Sequence, residues 1–402
     1  MSSGKRILYI GGGREALETL QKAKSLDLEV LYIQQKNKFN DMLLDYVDKV
    51  VLIDYRDNNV LIPIAKTLQT IFPFTCALSM SEDALVPAAH VRDALGLSGN
   101  STKTVQLLKD KSLMRQKLNT LGISPVAARV GHTLEDIIAF GDTHGTPFVI
   151  KPTAEAGSFG VFRVDDTVQL KDIWRQIQAL KISPFLLEEY LDGPEISVES
   201  FTFHGRHVIL AVTDKRTLDA VEIGHSIPAQ LDKETYDLVV NLVHTFLDAV
   251  TFAEGPAHTE IKLTHKGPRI VESHDRPGGD RINELVRLAY GVDMKEMTLG
   301  WPCGLVEPLE TSPQIQGGSA IHFFTTREGI VQEVSGEDDV KHLEGVVELN
   351  IGVKRGDYVH RLRESYDRFG WVVARGTNVQ EAINRCQEVD RTVQIRVDMG
   401  EA

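Results

Sequence analysis

Residues 258–280, HTEIKLTHKGPRIVESHDRPGGD, limit the folds open to this chain more than any other stretch. TEIKL and RIVES are short runs rich in β-branched and apolar residues, and THKGP between them carries the glycine and proline of a turn, so the segment reads as a β-hairpin. With the turn centred on Lys266, pairing sets Glu260 opposite Glu272 and His258 opposite His274, all on one face. Two carboxylates directly opposite each other repel and weaken the pair. Either a divalent cation such as Mg²⁺ reverses that sign, or the two side chains diverge onto a solvated face; a slip of one residue would change the face.

The residues after the second strand bear on that choice. Arg276 is a bidentate donor for carboxylate or phosphate, and Pro277, Gly278 and Gly279 form a bend whose backbone N–H groups stay open to an anion. Carboxylates for a metal, then an arginine and a glycine bend, make a layout for phosphoryl chemistry.

At 402 residues the chain is long enough for two or three domains with their own cores. Its 44 basic and 57 acidic residues give a net charge of −13, and no Lys/Arg block is long enough for a nucleic-acid footprint. Cys76, Cys303 and Cys386 are odd in number and far apart, which fits neither a disulfide framework nor a CxxC metal site. They read as reduced packing residues of a cytoplasmic protein. No apolar run approaches the ~20 residues of a membrane span, and the opening MSSGKRILYIGGG is too short in apolar residues for the core of a secretion signal.

RILYI, the helical GGGREALETLQKAKSLDL and EVLYI make a β-α-β opening. Gly11, Gly13 and Ala16 satisfy the loose dinucleotide pattern G-x-G-x-x-A, which raises a rival reading, a nicotinamide or flavin oxidoreductase. The ribose-binding acid expected at the end of the second strand is replaced by Gln34, Gln35 and Lys36. A glycine turn that only permits close strand–helix approach explains the pattern as well. Alternation continues to about residue 95, which predicts a doubly wound parallel sheet, and the charged helical stretch 101–121 ends near Ser124-Pro125.

Lys151 ends the apolar strand PFVIKP, so its ammonium must reach a partner. Gly157, Ser158 and Gly160 then form a loop that either covers phosphates or turns a hairpin; the P-loop pattern is absent. In LLEEYLDGPEISVES, Glu195 opens a strand where a carboxylate can accept hydrogen bonds from a ribose diol, although acids at such a junction are usually solvated.

Taken in order, Lys111 in LKDKSLMRQKL, Lys151, AGSFG, LLEEYLDGPE, TEIKL and IVESHDRPGGD resemble the ATP-grasp carboxylate-amine ligases over almost the whole chain. VTDKRTLDAVEIGHSIPAQL and SHDRPGGDRI look most like the L-amino-acid (dipeptide) ligases of the bacilysin-synthetase type. The resemblance implies an α/β (α+β overall) ATP-grasp fold in which residues 1–95 form the N-terminal domain and 96–123 a helical linker. Residues 124–187 would form a lid, 188–316 the catalytic and metal-binding part, and 317–402 a small C-terminal sheet like that of biotin carboxylase-like enzymes.

It also implies ATP, with Lys111 and Lys151 on the phosphates, the 154–160 loop closing over them, Glu188 and the backbone of Leu191 on adenine, and Glu195 on the ribose. Glu260 and Glu272 would carry two Mg²⁺ ions, with Mn²⁺ as a substitute, and His274 stands where relatives such as D-alanine-D-alanine ligase have an asparagine ligand. Arg276 with the N–H of Gly279 would bind the acyl-phosphate beside Gly278, while Glu222 and His225 would line the pocket of the activated amino acid, supported by Lys215. Asp280 either points toward that substrate's side chain, favouring a basic or polar group, or caps the helix INELVRLAYG.

The implied reaction is ATP-dependent joining of two L-amino acids, suited to a bacterial peptide metabolite. Runners-up are a ligase for a non-amino-acid carboxylate, a purine-pathway or biotin carboxylase-type enzyme, and a catalytically silent nucleotide-binding protein. The C-terminal segment is expected to back the substrate pocket and to offer a homodimer surface.

Overall fold

The computed structural model describes residues 5–13, 16–155, 157–218 and 221–398. The chain opens with β1 (Arg6–Ile10), α1 (Leu17–Ser25), β2 (Glu29–Gln34), β3 (Lys49–Leu52), α2 (Asn58–Ile71), β4 (Cys76–Leu78) and α3 (Leu85–Leu95). The strands pair in parallel in the order β3-β2-β1-β4. The central strands are apolar throughout because both faces are covered. Ile7, Tyr9 and Tyr32 pack with α1 on one side, and Leu8, Ile10 and Leu31 with α2 and α3 on the other, which is the doubly wound arrangement expected of 1–95. Gly11 sits at φ +75°, and a Cβ there would lie 2.6 Å from that of Ala84. The glycine turn therefore serves close packing of β1 against the start of α3.

α4 (Thr102–Lys109) and α5 (Lys111–Leu121) follow, separated by Asp110, whose carboxylate accepts from the N–H groups of Ser112 and Leu113 and caps α5. This stretch is not a linker, since Leu108, Met114 and Leu118 are built into the core beneath the central sheet. The unit expected to be a lid consists of β5 (Ala128–Gly131), α6 (Leu134–His144), β6 (Phe148–Pro152), β7 (Phe162–Val164), α7 (Leu170–Ala179) and β8 (Phe185–Glu189). Its antiparallel sheet runs β5-β8-β6-β7. The expected boundary at 187/188 cuts through β8, so the lid extends to Glu189.

The next elements are β9 (Glu195–Phe203), β10 (Arg206–Leu218), β11 (Val221–Ile227), α8 (Lys233–Ala249), β12 (Gly255–Thr264), β13 (Gly267–His274), α9 (Ile282–Tyr290) and α10 (Met294–Gly300). They lead into β14 (Gly318–Phe323), β15 (Gly329–Ser335), α11 (Glu337–Val340), β16 (Val346–Ile351), β17 (Tyr358–Val359), β18 (Gly370–Gly376), α12 (Val379–Thr392) and β19 (Gln394–Asp398). Eight strands form one sheet in the order β13-β12-β9-β10-β11-β14-β18-β16. Residues 317–402 are thus not a separate sheet: β14, β16 and β18 extend the catalytic one, and only β17-β15-β19 stand apart. The strands consecutive in sequence, β14 with β15 and β16 with β17, are likewise split between the two sheets.

Alternation along β9 decides which face carries chemistry. Ile196 and Val198 pack under α8, while Phe201 and Phe203 pack on the other side with α9. Glu195, Ser197 and Glu199 share the parity of those phenylalanines.

The N-terminal sheet is locked to the catalytic one by a buried polar network. Arg92 donates to the carbonyls of Ala77 (3.1 Å) and Asn100 (3.0 Å) and reaches Asp275 (3.4 Å). Asn100 Nδ2 donates to Asp275 (2.7 Å) and to the carbonyl of Glu254 (2.7 Å). Burial outweighs these donors and raises the Asp275 carboxyl to about 6. A carboxyl raised in the folded state binds its proton more tightly there than in the unfolded chain. Its cost to stability is full above that value and fades as the pH falls toward the ordinary carboxylate range. Relative to Asp275→Asn, the wild type should gain roughly 2 kcal/mol between about pH 7 and about pH 4 in denaturant unfolding. A pH-independent difference would contradict this.

Candidate active site

The hairpin pairs Glu260 with Glu272 and His258 with His274, the alignment expected from a turn centred on Lys266. It arises differently. The turn joins Thr264 to Gly267, half a residue off that centre, and a bulge beside Glu260 makes up the difference, with Val271 as the extra residue.

Both carboxylates are largely shielded, with side chains 15% exposed, and each meets a lysine. Lys215 Nζ lies 2.5 Å from Glu260 and Lys111 Nζ 2.8 Å from Glu272. Burial and the facing carboxylate work against the charge on Glu260, yet Lys215 holds it below the usual carboxylate range. Burial opposes the charge on Glu272 too, but Lys111 and His274 hold it well below. His258 reaches Glu199 at 2.9 Å and Glu260 at 3.3 Å. Although burial opposes its charge, these carboxylates push its imidazole up to about 9.

Lys215 also contacts Glu195 (2.9 Å) and Glu222 (3.0 Å). Glu195, Glu222 and Glu260 could by themselves hold a metal ion, with oxygens within 4.8 Å of one another. The Lys215 ammonium, 2% exposed, is the cation that they share. A second bulge, with Ile223 as the extra residue of β11, explains how Glu222 and His225 face the same region from positions three apart.

Lys151, at the end of β6, pairs with Glu188 at 2.5 Å, and Glu188 also binds the fully buried Arg115 at 2.6 Å. Glu188, expected at adenine, is thus held inside by two cations. Leu191 lies in the connector between β8 and β9. Lys111 Nζ donates to the Glu155 carbonyl (2.6 Å), tying α5 to the start of the glycine loop. Gly157, Ser158 and Gly160 have φ of 70°, 62° and 66°, a run that favours glycine. Ala156 of this loop lies outside the described residues.

Arg276 Nε donates to Glu82 at 2.5 Å. Glu82, contributed by the N-terminal domain, also contacts His274 Nδ1 (2.8 Å) and Lys109 (2.9 Å). Burial raises its carboxyl, but His274, Arg276 and Lys109 together hold it well below the usual range. His274 Nε2 reaches Glu272 at 3.1 Å, so both nitrogens of the expected metal ligand are engaged by carboxylates. A Cβ on Gly278 would lie 2.9 Å from His258 Nδ1, whereas one on Gly279 would meet open space. The bend therefore needs its first glycine for packing and leaves the second facing outward.

Asp280 does not cap the following helix. Arg281, at φ 65°, occupies the cap position, with no side-chain hydrogen bond. Asp280 instead accepts two bonds of 2.7 Å from Arg368 and lies 3.5 Å from His225 Nε2. Burial opposes its charge, but His225 and Arg368 hold it well below the usual carboxylate range.

Glu82, Glu199, Arg115 and Arg368 are absent from the site residues expected from sequence. Glu82 had a usable signal, since ligands bind beyond the carboxyl ends of parallel strands and Glu82 follows β4. Arg368 has no local motif. A cavity of about 340 Å³ opens elsewhere, between β4 and the catalytic sheet, lined by Leu78, Phe201, Trp301 and Asp275. It holds none of the lysine–carboxylate pairs.

An ATP-grasp domain model matches residues 144–284, and a model described as L-amino acid ligase C-terminal domain 2 matches 322–398. The alanine–anticapsin ligase of Bacillus subtilis (strain 168) is 27% identical over 244 residues, 54% of this chain and 52% of that protein, so the match spans about half of that relative's length. The L-arginine-specific L-amino acid ligase of Bacillus subtilis is 22% identical over 373 residues, 90% of each chain. The crystal structure of L-amino acid ligase from Bacillus licheniformis shares the fold, with a TM-score of 0.85 and 22% identity over 99% of this chain and 100% of that one. Residues 144–284 thus match an ATP-grasp domain and residues 322–398 an L-amino acid ligase C-terminal domain, in a chain whose lysines and carboxylates gather on the β9–β13 face.

Proposed function

We propose that this chain uses ATP to join the carboxylate of one L-amino acid to the amino group of another, through an acyl-phosphate, releasing ADP and phosphate. The observation that carries this reading is the convergence of three units on one face. Glu82 comes from the N-terminal domain, Glu260, Glu272 and Arg276 come from β12, β13 and the bend after it, and Lys111 ties Glu272 to the glycine loop of the lid through the Glu155 carbonyl.

Glu260 and Glu272 fit Mg²⁺: they are ionised, prepositioned oxygen donors, facing each other with only flexible lysines and histidines as present partners. Two ions, or Mn²⁺ in their place, are the assignment we favour, with His274 orienting Glu272. Bound there, Mg²⁺ would neutralise charge on the transferred phosphoryl oxygens. Lys111 and Lys151 would then be drawn from Glu272 and Glu188 toward the phosphates, with the loop 154–160 above them excluding water. Leu191 and Glu188 are assigned to adenine and Glu195 to the ribose.

A carboxylate oxygen of the first amino acid attacks the γ-phosphorus and ADP departs. The amine of the second attacks the carbonyl carbon, and phosphate leaves as the amide forms and the amine gives up its proton. Arg276 and the N–H of Gly279 are assigned to steady the oxyanion between these steps. Chain geometry requires no covalent enzyme intermediate. Glu222 is assigned to the α-ammonium of the first substrate, with Lys215 holding it in place and His225 shaping the wall. A cytoplasmic location suits three buried free cysteines, and a homodimer through the C-terminal segment completes the reading.

Incubation with ATP, Mg²⁺ and paired L-amino acids should yield ADP, phosphate and a product whose mass equals the two acids minus water. Formation of AMP would overturn the acyl-phosphate route, and turnover only with non-amino-acid carboxylates would overturn the substrate class. Glu222→Gln should raise the KM for the first amino acid at least about tenfold, the loss of one charge-assisted contact, while leaving the KM for ATP near the wild-type value. An unchanged KM for the amino acid would remove Glu222 from that role.

A further inference from the structure

Arg368 lies in the segment before β18, far in sequence from every other residue of the substrate region. Its guanidinium stacks on Phe323 of β14, 3.9 Å from the ring centroid. Nε donates to the Ser365 carbonyl (2.8 Å), and Nη1 donates to the Glu222 carbonyl (3.2 Å). Two parallel bonds of 2.7 Å engage both oxygens of Asp280. Such a fork fixes the planes of both groups and is stronger than a single ionic contact. Ser365 of the same segment donates from its hydroxyl to Glu222 (3.2 Å), so one short stretch touches both Glu222 and the residue after the glycine bend.

A second feature of this wall points to a ligand. His225 Nδ1 is buried and has no hydrogen-bond partner, although Nε2 of the same ring faces Asp280. Buried ring nitrogens are seldom left unpaired without a water or ligand to meet them. Phe323 stands edge-on to His225 at 6.1 Å between centroids, so the ring is fixed while one polar atom remains unused. Glu222, His225, Asp280 and Arg368 therefore form one contiguous wall with an aromatic side at Phe323 and a charge pair that is satisfied internally.

We propose that Arg368 is the residue that sets side-chain selectivity for the first amino acid, by cancelling the charge of Asp280 so that the pocket takes a neutral side chain. This rests on the assignment of Glu222 and His225 to that amino acid. Asp280 alone in this half-buried wall would attract a cationic side chain. Paired with Arg368 it presents no net charge, and a charged substrate group would have to separate the pair to enter. The two members of the pair thus exclude opposite classes: Arg368 excludes lysine-like side chains, and Asp280 excludes glutamate-like ones.

Selectivity is read as the ratio of kcat/KM for first substrates of similar length: lysine, methionine and glutamate. Arg368→Met should raise the lysine-to-methionine ratio at least about tenfold, and Asp280→Asn should raise the glutamate-to-methionine ratio by a similar factor, as expected when one partner of a buried charge pair is left open. The double variant should return to the neutral preference, and Arg368→Lys should keep it. Asp280→Asn is the smaller perturbation and decides the matter if Arg368→Met does not fold. The same ranking measured by calorimetric binding of the three amino acids, with Mg²⁺ and a non-hydrolysable ATP analogue, needs no turnover. If no amino-acid pair supports ADP formation but binding still shifts in opposite directions, the ligase reading fails and this inference stands. Single variants that keep the wild-type ranking in binding and in turnover would overturn it.

Discussion

Two carboxylates facing each other across neighbouring strands keep their charges only if cations come to them. Glu260 and Glu272 impose that condition here, and much of the surrounding structure answers it. Lys215 reaches in from β10 and Lys111 from the first turn of α5, while His258 and His274 bridge outward to Glu199 and Glu82. Each of those partners then needs its own compensation, so charge alternates through the sheet into the N-terminal domain. An ionic lattice of this kind is poor evidence of stability, because desolvation consumes most of the attraction. In the function proposed above, its use would be to hold negative charge in place where a metal and phosphates can displace the lysines.

The three units divide the work by their mechanical character. The sheet supplies rigid positions for the carboxylates, since β9, β12 and β13 are paired along their length. The lid supplies Lys151 and the glycine loop on a small separate sheet with its own core. Arg115 joins the two, donating to Glu188 of the lid and to the carbonyls of Ser124 and Ile270. The C-terminal segment, far from being an appendage, adds three strands to the eight-stranded sheet and brings Arg368 onto Asp280.

Much of this was legible in sequence because it is local. The hairpin, its facing glutamates, the glycine bend, the lysine ending β6 and the parallel N-terminal sheet each follow from periodicity and turn chemistry within about twenty residues. The features that escaped are non-local or depend on a single inserted residue. Neither bulge has a sequence mark, yet Val271 and Ile223 decide which side chains face the site. Asp280 reads equally well as a helix cap or as a substrate contact until Arg368, 88 residues later, is seen to hold it. The split of β14 from β15 is invisible for the same reason, since adjacent strands usually pair and here they join different sheets.

The acyl-phosphate mechanism stands or falls on the path of one oxygen atom. If the carboxylate attacks the γ-phosphorus, a first amino acid labelled with ¹⁸O in its carboxyl group must hand one labelled oxygen to inorganic phosphate for each amide formed. Mass spectrometry of the released phosphate should therefore show a single ¹⁸O per turnover. Label found in AMP, or phosphate carrying no label while amide accumulates, would contradict that mechanism and the roles given to Arg276 and Gly279 with it.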